Sequence, residues 1–306
     1  MYALKDLPKE ELFSPGHRLC AGCAQPISVR MITKVLRGPT VIVSTTGCLE
    51  VSSSIYPHTA WKVPWVHVAF ENGAAVASGV EAAFKILRKK GVLKDKVDVI
   101  AICGDGGTYD IGIQAISGAL ERGHDFVYIC HDNEAYMNTG IQRSGATPKG
   151  AATTTSPAGT KIPGKPEWKK DFIGICIAHG IEYAATATPA YWGDFLMKVR
   201  KAIEVDGPAV INVLAPCPLG WRYEPKDTIK IARLAVLTRY FPIYEYEKGK
   251  YKLNIKVPKP LPIEEFLKVQ GRFRHLFKPE FKKDLEEIKH YVEENWNRIL
   301  RLCGET

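Results

Sequence analysis

The sequence predicts an α/β protein: a mostly parallel sheet with helices on both faces, followed by a C-terminal extension. Two observations carry this expectation. Short β-branched and apolar runs alternate with helical patterns from about residue 40 to 217, the order that builds parallel strands. A glycine-rich turn, "GDGG" at 104–107, stands where one such run ends and a helix begins, as at the ligand-binding edge of open α/β sheets. A chain of 306 residues is long enough to bury the core this requires.

Taken in order, residues 1–15 form a lead-in, with "DLPKEELF" expected as a short helix, and 27–36 carry helical periodicity. "TVIVSTTGC" is expected as a buried strand running into a polar loop. Residues 70–90 predict a long helix rich in small residues, which permit close packing. "KVDVIAICGDGG" is a strand with its turn, and "IGIQAISGALERG" a helix stopped by Gly123. "DFVYICHDN" is the next strand. Residues 138–166 are poor in apolar residues and rich in Gly, Thr, Ser and Pro, so they predict a functional or disordered loop. The helix "KKDFIGICIAHG", the strand "IEYAATA", the helix "YWGDFLMKVRKAIEVDG" and the strand "PAVINVLAPC" follow. This places an α/β domain at 1–221 and an extension at 222–306, the latter with a hairpin, "FPIYEYEKGKYKLNI", and one or two charged helices.

Composition narrows the function classes. Apolar content is 45% and charged content 25%, ordinary globular values. No apolar run approaches the ~20 residues that cross a bilayer, and "MYALKDLPKEELF" lacks the apolar run of a secretory signal. The expectation is a cytoplasmic protein with no membrane partner. The net charge of +9 is spread along the chain, and its densest group, "KPEFKKDLEEIKH", is interleaved with glutamates. That pattern is a solvated helix face rather than a nucleic-acid footprint, although a basic surface also steers acidic proteins.

Alone, "GDGG" is no more than a tight turn. Asn133 adds to it, because it lies 28 residues beyond Asp105 and again directly after a buried strand. In a parallel sheet these two strand ends share an edge, so Asp105 and Asn133 offer two hard oxygen ligands to one Mg²⁺. A backbone carbonyl and a diphosphate would complete the octahedron. A GDG turn with an asparagine one strand later is the signature of thiamine diphosphate enzymes. A dinucleotide reading fares worse, because the first strand-to-helix turn has no G-x-G-x-x-G.

The eight cysteines, with no secretion signal, argue against a disulfide framework. Cys103, Cys130 and Cys176 sit in apolar runs as small hydrophobes, and Cys303 is near the chain end. Cys20 and Cys23 form a CxxC, which fits a redox dithiol or half of a metal site. Cys48, in the loop "TTGCLE", and Cys217, in "APCPLG", each come just after a strand. Four thiolates brought together from loops suit zinc or an iron–sulfur cluster.

The motifs "GDGGTYDIG" and "DNEAYMNTGIQRS", joined by "GHRLCAGC", "TTGCLEV", "YPHTAWKVPWVHVAFENGAA", "TTTSP" and "VQGRFRHLF", resemble the β subunit of pyruvate:ferredoxin oxidoreductase in its multi-subunit archaeal and thermophilic-bacterial form. The resemblance implies thiamine diphosphate and Mg²⁺, with Asp105, Asn133 and the Ala135 carbonyl on the metal. It implies Thr46, Gly47, Gly104, Gly106 and Gly107 around the cofactor, and Asn138 and Thr139 facing the reacting centre. It also implies that Cys20, Cys23, Cys48 and Cys217 hold one [4Fe–4S] cluster. The implied activity is oxidative decarboxylation of a 2-oxoacid with coenzyme A, electrons passing to ferredoxin. The implied partners are an α subunit that supplies the activating glutamate, a γ subunit and a ferredoxin-like δ subunit.

The chain departs from the family after the second cysteine, where Ala24 and Gln25 replace the usual glycine and an often acidic residue. Rival expectations are the same chemistry on 2-oxoisovalerate, 2-oxoglutarate or oxalate, and a non-redox module that holds thiamine diphosphate or zinc. The C-terminal extension and the small-residue helix are the expected subunit contacts.

Overall fold

A computed structural model describes residues 3–36 and 38–305. Its centre is one eight-stranded sheet. The strands are β1 (Thr40–Thr45), β2 (Trp65–Val68), β3 (Asp98–Gly104), β4 (Val127–Asp132), β5 (Tyr183–Ala187), β6 (Ala209–Leu214), β7 (Tyr244–Glu247) and β8 (Lys250–Leu253). They lie in the order β2-β1-β3-β4-β6-β5-β7-β8. The first six are parallel, and β7 and β8 join antiparallel. The α/β expectation is met.

The helices are α1 (Ala24–Thr33), α2 (Cys48–Ser53), α3 (Gly73–Lys89), α4 (Ile113–Glu121), α5 (Phe172–Ile177), α6 (Trp192–Glu204), α7 (Pro218–Trp221), α8 (Thr228–Leu237), α9 (Glu264–Leu267) and α10 (Lys282–Leu302). Both faces of the central strands are covered, which is why β1, β4, β5 and β6 are buried along their whole length. Residue parity sorts the cores. Val99, Ala101, Cys103, Tyr128 and Cys130 face the side that also carries Ala77, Leu120 and Phe172. Ile100, Ile102, Val127 and Ile129 face the side with Val29, Ile32, Phe195 and Val199. Cys103, Cys130 and Cys176 are buried core thiols, as expected.

Several expectations are corrected. The span 6–13 is not a helix: only Leu4–Asp6 forms a 3-10 turn, and the chain then runs irregularly. Tertiary contacts decide this. Phe13 is buried against Trp61, and Lys34 Nζ takes the carbonyls of Pro8 and Glu10 that a helix would have used. Helix α1 starts three residues before the expected 27, because Cys23 is its N-cap and Pro26 falls in the first turn, where proline is tolerated. Strand β2 and helix α2 were not legible in the sequence, so Cys48 opens a helix instead of lying in a loop. The segment 138–166 is packed: Ser144, Ala146, Thr147, Ala151 and Ala152 are buried, and Lys165 Nζ donates to the Thr147 carbonyl at 2.6 Å.

Residues 222–305 extend the same sheet through β7 and β8. The expected hairpin is β7–β8, turning at Lys248 and Gly249, both at positive φ. The charged helix is α10, whose buried Leu285, Ile288, Val292, Trp296 and Ile299 form one stripe on the common core. Among the described residues no helix is long and apolar enough to cross a membrane.

Candidate functional site

The connections after β1 and β3 leave the sheet in opposite directions along the strand order. Such a switch point opens a crevice at the carboxyl ends of the strands. The crevice is a narrow cleft lined by Thr46, Gly47, Cys48, Gly104, Asp105, Gly106, Gly107, Asn133, Ala135, Asn138 and Thr139, together with Gln25, Ser44 and His131. Every residue expected to touch the cofactor, the magnesium or the reacting centre therefore lines one cleft.

Its walls show why glycine recurs. A side chain at Gly104 would point into open space, and one at Gly47 would come only within 3.9 Å of the Thr45 carbonyl oxygen. Gly106 is different: a Cβ there would stand 2.3 Å from the Tyr136 ring. Gly107 packs on the Phe70 carbonyl, 2.8 Å from where its Cβ would be. The turn is therefore open to a ligand at Gly104 and locked to the protein at Gly106 and Gly107. Thr108 Oγ1 ties the following turn back to the Gly104 carbonyl at 2.7 Å.

Asp105 is fully buried. Its Oδ2 accepts from Ser144 Oγ at 2.5 Å and its Oδ1 from the Asn133 backbone N–H at 3.3 Å. Burial, reinforced by the charge of Asp132, pushes the Asp105 carboxyl well above its ordinary value, and the Ser144 bond opposes this. One terminal atom of the Asn133 amide lies 2.8 Å from Asp105 Oδ1 and 2.9 Å from the Ala135 carbonyl oxygen. As an NH₂ group it donates to both. Turned over, it places an oxygen beside each of the other two, and separations of this length match adjacent ligands of an octahedron with metal–oxygen bonds of about 2.1 Å. The donor set therefore fits a small hard cation. Gln25 Oε1, Ser44 Oγ and His131 Nδ1, on residues that line the cleft, are buried with no partner among the described residues. Buried polar atoms are seldom left so, and a polar cofactor in the cleft would supply partners.

Glu134, between the two adjacent ligand residues, stands at φ +67. Its buried carboxylate takes Arg272 Nη2 at 2.5 Å, Tyr240 OH at 2.8 Å and Lys169 Nζ at 3.0 Å. Burial works against this charge, but Lys169 and Arg272 outweigh it and hold Glu134 below the usual glutamate value. Asp132 pairs with Lys169 at 2.5 Å and accepts from Tyr109 OH and Asn212 Nδ2, each at 3.0 Å. None of these supports was assigned from the sequence. Arg272 lay in view inside "VQGRFRHLF", but nothing local links it to Glu134, 138 positions away.

Beside the cleft stand the four cysteines. Cys23 caps α1, Cys48 opens α2 and Cys217 caps α7, where its sulfur accepts from the Gly220 N–H at 3.3 Å. Cys20 is exposed, and its carbonyl accepts from the Cys23 N–H at 3.0 Å. The Gly22 carbonyl accepts from Thr228 Oγ1, and Arg18 N–H donates to the Ser52 carbonyl at 2.8 Å. These bonds tie the CxxC loop to α8 and α2. Burial pushes the Cys23 thiol up to about 12, with Cys217, Cys48 and Cys20 adding to the rise. Burial also lifts Cys48 to about 11, Cys217 adding to it, while a hydrogen bond with the Asn138 side chain opposes. The four are thus electrostatic neighbours, yet among the described residues no three His, Cys, Asp or Glu side chains are close enough to hold an ion. Asn138 and Thr139 are exposed on the rim of the cleft. Cys48 itself lines the cleft beside Asn138, so it joins the cleft to the cysteine group.

Comparison with known proteins agrees with this geometry. Residues 45–213 match the thiamine pyrophosphate enzyme, C-terminal TPP binding domain. The chain is 56% identical to pyruvate synthase subunit PorB of Methanocaldococcus jannaschii, over 94% of this chain and 96% of that one. It is 50% identical to the Thermotoga maritima PorB, over 97% and 94%. It is 49% identical to ketoisovalerate oxidoreductase subunit VorB of Pyrococcus abyssi, over 97% and 95%. A solved 2-oxoglutarate:ferredoxin oxidoreductase from Magnetococcus marinus shares the fold, with a TM-score of 0.55 at 21% identity over 75% of this chain and 79% of that one. The chain therefore belongs to the thiamine pyrophosphate enzymes and, within them, to the β subunits of the 2-oxoacid:ferredoxin oxidoreductases.

Proposed function

We propose that this β subunit serves a pyruvate:ferredoxin oxidoreductase, which converts pyruvate and coenzyme A to acetyl-coenzyme A and CO₂ and delivers two electrons to ferredoxin. Thiamine diphosphate, when bound, supplies the electron sink that makes decarboxylation of a 2-oxoacid feasible. Asp105, Asn133 and the Ala135 carbonyl would hold Mg²⁺, with Gly104 leaving room for the diphosphate beside it. Cys20, Cys23, Cys48 and Cys217 would hold one [4Fe–4S] cluster, the Gly220 N–H softening the charge on Cys217. Asn138 and Thr139, at the rim, would meet the 2-oxoacid.

The observation that carries this reading is one cleft at the sheet edge in which Asp105 Oδ1 and the Ala135 carbonyl each stand within adjacent-ligand distance of the Asn133 amide, and which Cys48, one of four cysteines whose charges bear on one another, also lines. A zinc site would explain the thiols but not the adjoining diphosphate cleft. The glutamate that activates the aminopyrimidine is assigned to an α subunit, with γ and ferredoxin-like δ subunits completing the complex. Contact faces are offered by residues 222–306 and by the exposed stripe Ala75, Gly79, Ala83 and Ile86 of α3. Cytoplasmic placement is part of the same proposal.

2-Oxoisovalerate is the second reading, favoured by the ketoisovalerate oxidoreductase relative at 49% identity. The test is anaerobic purification of the complex co-expressed with its partner subunits, then coenzyme A-dependent reduction of ferredoxin with pyruvate, 2-oxoisovalerate, 2-oxoglutarate and oxalate in parallel. Pyruvate is expected to give the highest kcat/KM. No reduction with any of the four refutes the assignment, and preference for 2-oxoisovalerate replaces the substrate.

A further inference from the structure

The cation ligands Asn133 and Ala135 flank a residue in a disfavoured conformation. Glu134 is not glycine, yet it stands at φ +67, in the left-handed region that side chains other than glycine seldom enter. That turn of the backbone aims the Asn133 side chain and the Ala135 carbonyl at the same point beside Asp105. Strained backbone of this kind persists only where surrounding structure over-determines it.

The surroundings do so from a distance. Arg272 Nη2 lies 2.5 Å from Glu134 Oε2, and Arg272 is itself held by Gln270 Oε1 at 2.9 Å. The Arg272 guanidinium stacks 3.9 Å from the centre of the fully buried Trp221 ring. Trp221 Nε1 in turn donates to the Asn133 carbonyl at 2.7 Å. The circuit therefore closes: Glu134 to Arg272, Arg272 to Trp221, and Trp221 back to the residue before Glu134. Trp221 is also the last residue of α7, and its own N–H donates to the Cys217 carbonyl at 2.9 Å. One frame thus grips the cation loop and joins it, through four residues of helix, to a cysteine of the thiol group.

We propose that Glu134, Arg272 and Trp221 are positioning residues. They hold the 133–135 loop in its cation-binding shape and fix its place relative to Cys217. Arg272 makes the C-terminal segment a structural part of the site. This rests on the cation site proposed above.

The test uses the co-purified complex with thiamine diphosphate and Mn²⁺ as the spectroscopic stand-in for Mg²⁺, its affinity read by electron paramagnetic resonance. Trp221→Phe keeps the ring under Arg272 but removes the bond to the Asn133 carbonyl, and Arg272→Met removes the ion pair. Each is expected to weaken Mn²⁺ binding by about tenfold or more, the usual effect of losing an outer-shell partner. Iron content should stay at the wild-type level, and Arg272→Lys should restore part of the affinity. Wild-type affinity in Trp221→Phe and Arg272→Met overturns the proposal. Should Arg272→Met fail to assemble, Trp221→Phe alone decides. A wild-type complex that binds no Mn²⁺ with the cofactor present refutes the cation site itself, and the positioning role falls with it.

Discussion

The oxygen site and the thiol site share one sheet edge but are built differently. Asp105, Asn133 and Ala135 are buried, the Asn133 amide stands 2.8 and 2.9 Å from the other two oxygens, Asp105 is held by Ser144, and the Asn133 carbonyl by Trp221. The thiols come from three separate segments, at the starts of α1, α2 and α7. They range from exposed Cys20 to half-buried Cys23, Cys48 and Cys217. Burial, with the neighbouring sulfurs adding to it, favours the protonated forms of Cys23, Cys48 and Cys217. The contrast teaches that, on the proposed reading, the oxygen ligands already stand in place, whereas the thiols would be drawn together by the metal centre they bind, since crowded thiolates need a cation to neutralise them.

Four substitutions break or sharpen this comparison. The largest effect belongs to Cys23→Ala. If it is one of four cluster ligands, the complex should lose one cluster's worth of iron and sulfide and its ferredoxin reduction should vanish, while Mn²⁺ affinity stays near wild type. Loss of cation binding as well would show that the two sites are not separately built. Asp105→Ala is the mirror experiment. If Asp105 is the proposed metal ligand, its removal should lower turnover on the order of 10³-fold yet leave the iron content intact, as chemical assay of iron and sulfide would report. Chelation with EDTA should reproduce its loss of activity reversibly.

Gly22→Ala probes the CxxC loop. Gly22 has φ +72, and a Cβ there would stand 2.2 Å from the Pro225 carbonyl oxygen. Strain and overlap together should destabilise the loop by about 2–4 kcal/mol, seen as faster cluster loss under oxygen with the cation site unaffected. Gly106→Ala, the smallest of the four, presses a methyl group on the Tyr136 ring at 2.3 Å. A cost of about 1–3 kcal/mol should appear as weaker thiamine diphosphate binding by tryptophan fluorescence, without change in cluster content.

Much of this was legible in the sequence, for local reasons. The parallel strands are buried on both faces, so they stand out as continuous apolar runs, and Asp105 and Asn133 each follow such a run directly. The CxxC, Cys48 and Cys217 could be brought together only through the family resemblance, since locally α2 hides behind "CLEVSS" and β2 behind four residues of "WVHV". The expected helix at 6–13 failed because Phe13 and Lys34 gain more from long-range contacts than the segment gains from helical bonds. The Glu134 frame was invisible for the same kind of reason. Its four anchoring groups, Lys169, Tyr240, Arg272 and Trp221, lie on four separate segments, and only the fold unites them.

The most direct measurement of the central claim, that one sheet edge joins a thiamine diphosphate–cation site to a cluster site, is rapid-freeze electron paramagnetic resonance of the anaerobic complex after mixing with pyruvate. The account predicts the signal of a reduced [4Fe–4S] cluster that requires thiamine diphosphate and Mg²⁺ and is missing from both Asp105→Ala and Cys23→Ala. A wild-type complex with zinc in place of iron, or a cluster signal that pyruvate still evokes in Asp105→Ala, would contradict it.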